Sequence, residues 1–135
     1  MVYIALVFCL MLACTSQKTI GNTVASTNDT VRIANDSLEY EVIVIDPGFS
    51  GWLASRAYPR NYHSQTYLES KNRYWVGEWN IRVSNPQRYG NLYEWRIDYD
   101  PHINYGYEVN YLLYNYLVYF QNKYNQRLGG NVPSR

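Results

Sequence analysis

Three acidic and basic residues of this 135-residue chain have the types and spacing for acid–base chemistry. Asp100 and His102 are separated by one residue, so the carboxylate could orient and charge the imidazole. Asp46 and Asp100 each precede a proline after a predicted strand, and parallel strands would bring them together as a hydrolytic pair. Antiparallel strands would separate them. Asp before Pro also suits a helix cap or a turn, so a structural role is the plainer interpretation.

A hydrolase using Asp100 and His102 is therefore the alternative hypothesis, and the sequence favours the absence of enzymatic activity. None of the serines lies in a Gly-x-Ser-x-Gly elbow, and the glycines do not form a dinucleotide or phosphate loop. Two Cys and two His are too few for the usual zinc sites. We expect no cofactor and no metal.

Tyrosine is the stronger signal, because the chain has 16 tyrosines and only 3 phenylalanines. Aromatic rings stack on sugars, and Tyr and Arg are enriched in the hot spots of protein interfaces. A surface for a glycan or a protein partner could include Tyr58 and His102. The main candidate binding residues are Trp52, Arg56, Arg60, Tyr62, His63, Tyr105, Tyr107 and Tyr111. Alternatively, the rings fill a small core while their hydroxyls stay in water.

The charge balance excludes a nucleic-acid partner. The chain has 12 Lys and Arg against 11 Asp and Glu, a net charge of +1, so it lacks the basic surface that binds phosphates.

The first residues indicate export and a membrane anchor. Residues 2–14 form an apolar run that is shorter than the roughly 20 residues of a membrane-spanning helix but typical of a signal peptide. The run ends in Leu12-Ala13-Cys14, which resembles a bacterial lipobox in which Cys14 receives the lipid. We therefore expect residues 1–14 to be a signal peptide ending in a lipidated cysteine. An ordinary signal peptide or a buried first helix are the alternatives.

Residues 15–37 are rich in Thr, Ser, Asn and Asp and lack aromatic residues, so we expect a disordered polar linker. Within it, Thr30 and Ser37 each follow an Asp and precede an apolar residue. Both tripeptides resemble the O-glycosylation sequon of exported proteins in Bacteroidota. Chance matches in a polar segment are the alternative.

The remaining residues predict a small α+β domain over residues 38–128, followed by a flexible tail over residues 129–135. β-rich segments at residues 38–45 and 92–99 predict two strands. Apolar residues at helical spacing predict helices over residues 47–56, 66–84 and 105–126. We expect a β-α-α-β-α order, in which the two strands pair and two long helices cover the two-stranded sheet.

The folded part resembles a family of short lipoproteins from Bacteroidota, a domain of unknown function. The segments that carry the resemblance are YEVIVIDPGF at residues 40–49, YLESKNRYWVGEWNIRV at 67–83 and INYGYEVNYLLYNYLVYFQNKYNQRL at 103–128. The resemblance implies a location in the cell envelope and no activity or catalytic residues.

These observations lead to one functional expectation. We expect a non-enzymatic lipoprotein, anchored in the outer membrane and facing the periplasm, that binds a partner protein or glycan through a tyrosine-rich surface. A structural accessory of a larger complex differs from this only in the permanence of its contacts.

Overall fold

The computed structural model describes residues 30–135, which form a two-stranded sheet packed against helices. This confirms the α+β fold class. In chain order the elements are β1 (Thr30–Asn35), β2 (Tyr40–Ile45), α1 (Phe49–Arg56), α2 (Gln65–Val83), α3 (Pro86–Tyr89) and α4 (Tyr107–Lys123), with a turn of 3-10 helix at Asp36–Leu38. Within residues 30–135, no helix combines the length and apolar character needed to cross a membrane.

The sheet is an antiparallel hairpin with one buried face. Val31 pairs with Val44 and Ile33 pairs with Val42, and all four side chains are buried. Alternate residues point outward because the side chains of a strand alternate between its two faces. Glu39, at a φ of +52°, closes the turn between the strands.

The prediction of a disordered polar linker is wrong at the end of that linker, because β1 lies inside the range assigned to it. Thr30–Asn35 alternates polar and apolar residues, which is the pattern of a half-buried strand. The pattern spans only six residues, and its polar members match the composition of the segment before it. Pairing with β2 and burial against α1 and α4 give the segment its strand structure.

The predicted strand at residues 92–99 was wrong. The segment has the alternation of a strand, but its backbone is bound by α2 side chains instead of by another strand. The Asn80 amide donates to Ile97 O and accepts from Ile97 N, both at 2.9 Å, as a neighbouring strand would. Trp79 Nε1 donates to the oxygen of Trp95 at 2.8 Å. The partner of β2 is therefore β1.

The helices follow the predicted ones, with shifted ends. α2 begins one residue earlier than predicted, because the Ser64 side chain caps it by accepting from Tyr67 N at 3.2 Å. α1 begins at Phe49 after Gly48, whose φ is +99°, and not after a capping Asp46. The short helix α3 follows α2 closely and has Pro86 in its first turn, where proline is well tolerated.

Helix α4 is the centre of the core. Every side chain from Val109 to Gln121 is buried, because α4 contacts α2 on one side and β1 and α1 on others. The tyrosines of this stretch, Tyr111, Tyr114, Tyr116 and Tyr119, therefore lie inside the protein. Tyr124, just after the helix, is one of the tyrosines that remain exposed.

The residues after α4 correct the predicted flexible tail. Trp75 Nε1 donates to Gly129 O at 2.9 Å, and Asn122 Nδ2 donates to Pro133 O at 2.8 Å. Val132 is buried in the same core. The tail is packed because α2 and α4 supply side-chain donors to its backbone. The composition of the tail itself does not reveal these donors.

Candidate functional site

Four aromatic side chains form a continuous surface where the loop between α1 and α2 meets the start of α2. We call Tyr58, Tyr62, His63 and Tyr67 the aromatic surface. The three tyrosines are 41%, 60% and 37% exposed. The His63 ring stacks on Tyr67 at 4.2 Å and meets Tyr62 edge-on at 4.8 Å, while Tyr58 and Tyr62 lie 4.1 Å apart. The rings thus support one another in a single patch.

Tyrosine hydroxyls of α4 hold the loop beneath this surface. The Tyr107 hydroxyl accepts from Asn61 N at 2.6 Å and donates to His63 O at 3.0 Å. The Tyr111 hydroxyl donates to Tyr58 O at 2.7 Å. Asn61 has a φ of +69°, a left-handed conformation that Asn tolerates better than most residues. The loop backbone is therefore fixed at three points to a buried helix.

A charged pair lies beside the surface. Arg60 makes two hydrogen bonds with Glu108, one of them from Nε at 2.8 Å, and its guanidinium lies 4.6 Å from the centre of the Tyr111 ring. The hydrogen bonds to Glu108 raise the pKa of Arg60. Bidentate geometry fixes a guanidinium more firmly than a single contact does. Arg60 thus clamps the loop to the first turn of α4.

Burial and the nearby Arg135 lower the pKa of His63 below the usual 6.5, which favours the neutral imidazole at pH 7. Its Nε2 and the Tyr114 hydroxyl are buried and have no hydrogen-bond partner among residues 30–135. Both side chains line a cavity of about 10 Å³ under the loop. Burial, followed by the neighbouring Tyr67, raises the pKa of Tyr114. The surface therefore presents uncharged rings.

The structure brings together five of the eight predicted binding residues: Arg60, Tyr62, His63, Tyr107 and Tyr111. Tyr62 and His63 belong to the aromatic surface, whereas Tyr107 and Tyr111 support it from below. The predicted set therefore mixed residues that present a surface with residues that hold it.

Three predicted binding residues lie elsewhere. Trp52 packs against Phe49 and Tyr119. Arg56 is exposed at the last turn of α1. Tyr105 is 4% exposed, and its hydroxyl accepts from Asp100 N at 2.8 Å, so it fixes a turn instead of facing a ligand.

Sequence reasoning missed Tyr67, Tyr114 and Arg135. His63 and Tyr67 are four residues apart at the start of a helix, which could have indicated their contact. Arg135 lies over the Tyr58 ring, 3.3 Å from its centre. No local pattern predicts that long-range contact.

Asp100 and His102 are in contact, as the hydrolase alternative requires. Asp100 Oδ1 lies 3.1 Å from His102 Nδ1 and also accepts from His102 N at 2.8 Å. The backbone N–H of His102 is the main cause of a lowered Asp100 pKa. However, the two side chains are 92% (His102) and 49% (Asp100) exposed, and the contact is that of an Asp turn.

Asp46 has different partners from those predicted, since the strand at residues 92–99 that would place it beside Asp100 does not form. Its Oδ1 accepts from the Tyr119 hydroxyl at 3.0 Å and from Lys123 Nζ at 2.5 Å, and its Oδ2 accepts from the Tyr124 hydroxyl at 3.1 Å. The side chain is 8% exposed. Asp46 therefore joins the hairpin end to the end of α4.

The remaining predicted sites lie at or before the hairpin. Cys14 and residues 1–14 are outside the described residues. Thr30 is the half-buried first residue of β1, and Ser37 is exposed in the hairpin turn, where its Oγ donates to Asn35 Oδ1 at 2.6 Å. Both thus belong to the hairpin and not to a linker. Residues 30–135 contain no group of three or more His, Cys, Asp or Glu side chains that could hold a metal ion.

Comparisons with known proteins identify a family but no activity. No curated protein and no solved structure matches the chain. A family model described as "Family of unknown function (DUF6146)" matches residues 2–133. The expectation of a domain of unknown function is thereby confirmed, and the chain belongs to the DUF6146 family.

Proposed function

We propose that this protein is a non-enzymatic binding module whose aromatic surface holds a partner glycan or protein. The observation that carries the proposal is the patch of Tyr58, Tyr62 and Tyr67, whose partly exposed rings enclose a neutral His63. Rings of this kind offer apolar area with hydroxyls at the edge, which suits both sugar stacking and interface hot spots.

The support beneath the surface favours binding further. Three hydrogen bonds that involve the Tyr107 and Tyr111 hydroxyls, together with the Arg60–Glu108 pair, fix the loop before any ligand arrives. A preformed surface loses little conformational entropy on binding, so more of its contact energy becomes affinity.

We place this module in the cell envelope, attached to the outer membrane through Cys14 and facing the periplasm. The support for this is the sequence: a signal-like apolar run followed by a lipobox-like cysteine. In the mature protein, a single domain on an anchor would meet peptidoglycan, lipopolysaccharide or envelope proteins. Metabolic labelling with a palmitate analogue tests the anchor, since Cys14→Ser would abolish the label.

The binding proposal is tested with the full chain on a solid support, probed in parallel with envelope extract and with soluble envelope glycan fragments. Tyr62→Ala should weaken retention about tenfold or more, as expected for an interface hot spot. Ile45→Ala is the matched control, because Ile45 is 75% exposed on the outer face of β2. Equal retention by both variants, or retention of neither ligand by the natural protein, would contradict the proposal. The probe retained decides between glycan and protein.

A hydrolase is the second candidate, favoured only by the 3.1 Å contact between Asp100 and His102. The pair lies beside a polar groove of about 250 Å³ that includes Glu69 and Arg73. Hydrolysis of a panel of ester and glycoside substrates by the natural protein, lost in His102→Ala, would establish it. Activity unchanged by that substitution would exclude this pair.

A further inference from the structure

Helix α2 carries a second exposed surface on the side that faces away from the core, with the Tyr74 ring lying beside Gly129 at one edge. We call Ser70, Tyr74, Gly77, Ile81 and Ser84 the outer stripe. Tyr74 is 62% exposed and Ile81 is 64% exposed, although both are large and apolar. The buried residues Leu68, Trp75, Val76 and Trp79 occupy the opposite side of the same helix. The outer stripe is therefore a projecting ridge and not part of the aromatic surface.

The outer stripe has the spacing of a coiled-coil seam. Tyr74 and Ile81 are seven residues apart, as are Ser70, Gly77 and Ser84, and the two sets alternate at steps of four and three. This is the a and d pattern of a heptad, with large residues at a and small residues at d. An exposed helix face with this 3.5-residue repeat, here over two heptads, suits packing against another helix.

Gly77 gives independent support for close contact. A glycine in the middle of a helix costs about 0.5–1 kcal/mol relative to alanine. A Cβ at position 77 would meet nothing within 4 Å, so the fold itself does not require glycine there. Close approach by another helix explains the residue, because small residues at the seam let two helices come together.

The charges beside the outer stripe indicate what the other helix is. Arg73 and Glu78 occupy g and e positions on its two sides and are five residues apart, the spacing of a g–e′ ion pair between parallel helices. Among residues 30–135, Arg73 forms no ion pair, while Glu78 accepts from Arg82 at 2.9 Å. Four residues of the outer stripe and the two charged residues beside it line a depression over Gly77: Ser70, Arg73, Tyr74, Gly77, Glu78 and Ile81.

We propose that the outer stripe binds a second copy of this chain, as a parallel homodimer with α2 against α2. In this arrangement Arg73 of each copy meets Glu78 of the other, so two ion pairs form around the symmetry axis. An antiparallel pair would place the Arg73 sides together and the Glu78 sides together, where like charges repel. The seam covers only two heptads, well below a standard interface, so the dimer is weak and concentration-dependent.

Cysteine cross-linking tests both the dimer and its orientation. The test uses the full chain in mild detergent with Cys9→Ser and Cys14→Ser, to which Ser70→Cys or Ser84→Cys is added. A parallel seam places each d position against its own copy, within the Cα separation that a disulfide allows. Each single variant should therefore cross-link to itself under mild oxidation, and Arg56→Cys, exposed on α1, should not. Cross-links formed only in a mixture of the two variants would show an antiparallel pair and overturn the proposal. Absence of all cross-links would do the same.

A charge exchange in the Ser70→Cys background tests the ion pairs separately. Arg73→Glu should lower the cross-linking yield at a given protein concentration, with a rise of about tenfold in the dimer dissociation constant, because it converts two attractions to two repulsions. Adding Glu78→Arg should restore the yield. Circular dichroism checks that each variant is folded, since Glu78→Arg also removes the ion pair with Arg82. Equal yields in all three proteins would overturn the parallel arrangement.

Discussion

The ion pair of Asp46 and Lys123 leads to a prediction about two substitutions: removing the cation should destabilise the protein more than removing the anion. The Asp46 side chain is 8% exposed, whereas that of Lys123 is 36% exposed. The anion is therefore enclosed, while the cation can turn to water.

The expected magnitudes follow from the partners left behind. In Asp46→Asn the amide oxygen still accepts hydrogen bonds, and both Tyr119 and Lys123 keep the Pro47 oxygen at 3.1 Å. We expect a loss of about 1.5–2 kcal/mol, the lower part of the range for one hydrogen bond to a charged group. Lys123→Met instead leaves a buried carboxylate without its cation. We expect about 3 kcal/mol, the low end for breaking a buried pair, because Tyr119 and Tyr124 still donate.

Urea unfolding, monitored by tryptophan fluorescence, measures both losses in the free energy of unfolding, provided that the urea dependence of this free energy stays constant. The double variant, which combines Asp46→Asn with Lys123→Met, should be more stable than Lys123→Met alone, since it leaves no buried charge without a partner. Lys71→Met is the matched control and should cost under about 0.5 kcal/mol, as for most surface substitutions. A loss for Asp46→Asn that equals or exceeds that of Lys123→Met would refute the reasoning.

Three further predictions concern stability. Asn80→Ala should cost about 2 kcal/mol, because it removes both hydrogen bonds to Ile97; faster amide exchange at Ile97 checks the location. Gly129→Ala should cost about 2 kcal/mol or more in urea unfolding, because its φ is +115° and a Cβ would strike the Tyr74 ring. Burial, then Glu69, raises the pKa of Tyr99 to about 12 from an ordinary 10.0. The folded chain thus keeps a proton that the unfolded chain releases, so the contribution of Tyr99 to stability is complete below pH 10 and is lost as the pH rises to 12. Tyr99→Phe should make a profile of urea midpoint against pH less steep across that range.

The sequence predicted the helices well because their periodicity reflects burial on one side. α2 shows this, since its buried residues, among them Leu68, Trp75 and Trp79, follow the helical repeat used to predict it. For α4 the helical repeat does not show which tyrosines face the core, because neighbours cover this helix on several sides and its tyrosines from Tyr111 to Tyr119 are all buried. A local sequence pattern predicts the helix or strand to which a residue belongs, but it does not predict how many other elements pack against that helix or strand.

The strands were harder to predict, and for a different reason. Residues 92–99 alternate like a strand, yet the Asn80 amide occupies the hydrogen-bonding position of a neighbouring strand beside Ile97. β1 alternates over only six residues within a polar segment. Alternation shows that a segment is extended with one side buried, but it does not identify the partner that binds its backbone.

The candidate site was only partly predictable, because the sequence does not distinguish a tyrosine that presents a ring from one that supplies a hydroxyl. Tyr62 and Tyr107 were predicted for the same role on the same grounds. The structure places the first at 60% exposure and uses the second to bind the loop backbone.

The excess of tyrosine over phenylalanine follows from this second use. Buried rings could equally be Phe if packing alone mattered, but the hydroxyls of Tyr107, Tyr111 and Tyr119 reach backbone oxygens in two separate loops. A buried helix that must hold irregular segments needs side chains with an apolar body and a hydrogen-bonding tip, which Phe lacks. Most of the tyrosines in α4 are therefore explained by the fold. The tyrosines that the fold does not explain are the few on the aromatic surface. Their rings stay exposed, although the rest of the protein holds their loop in place.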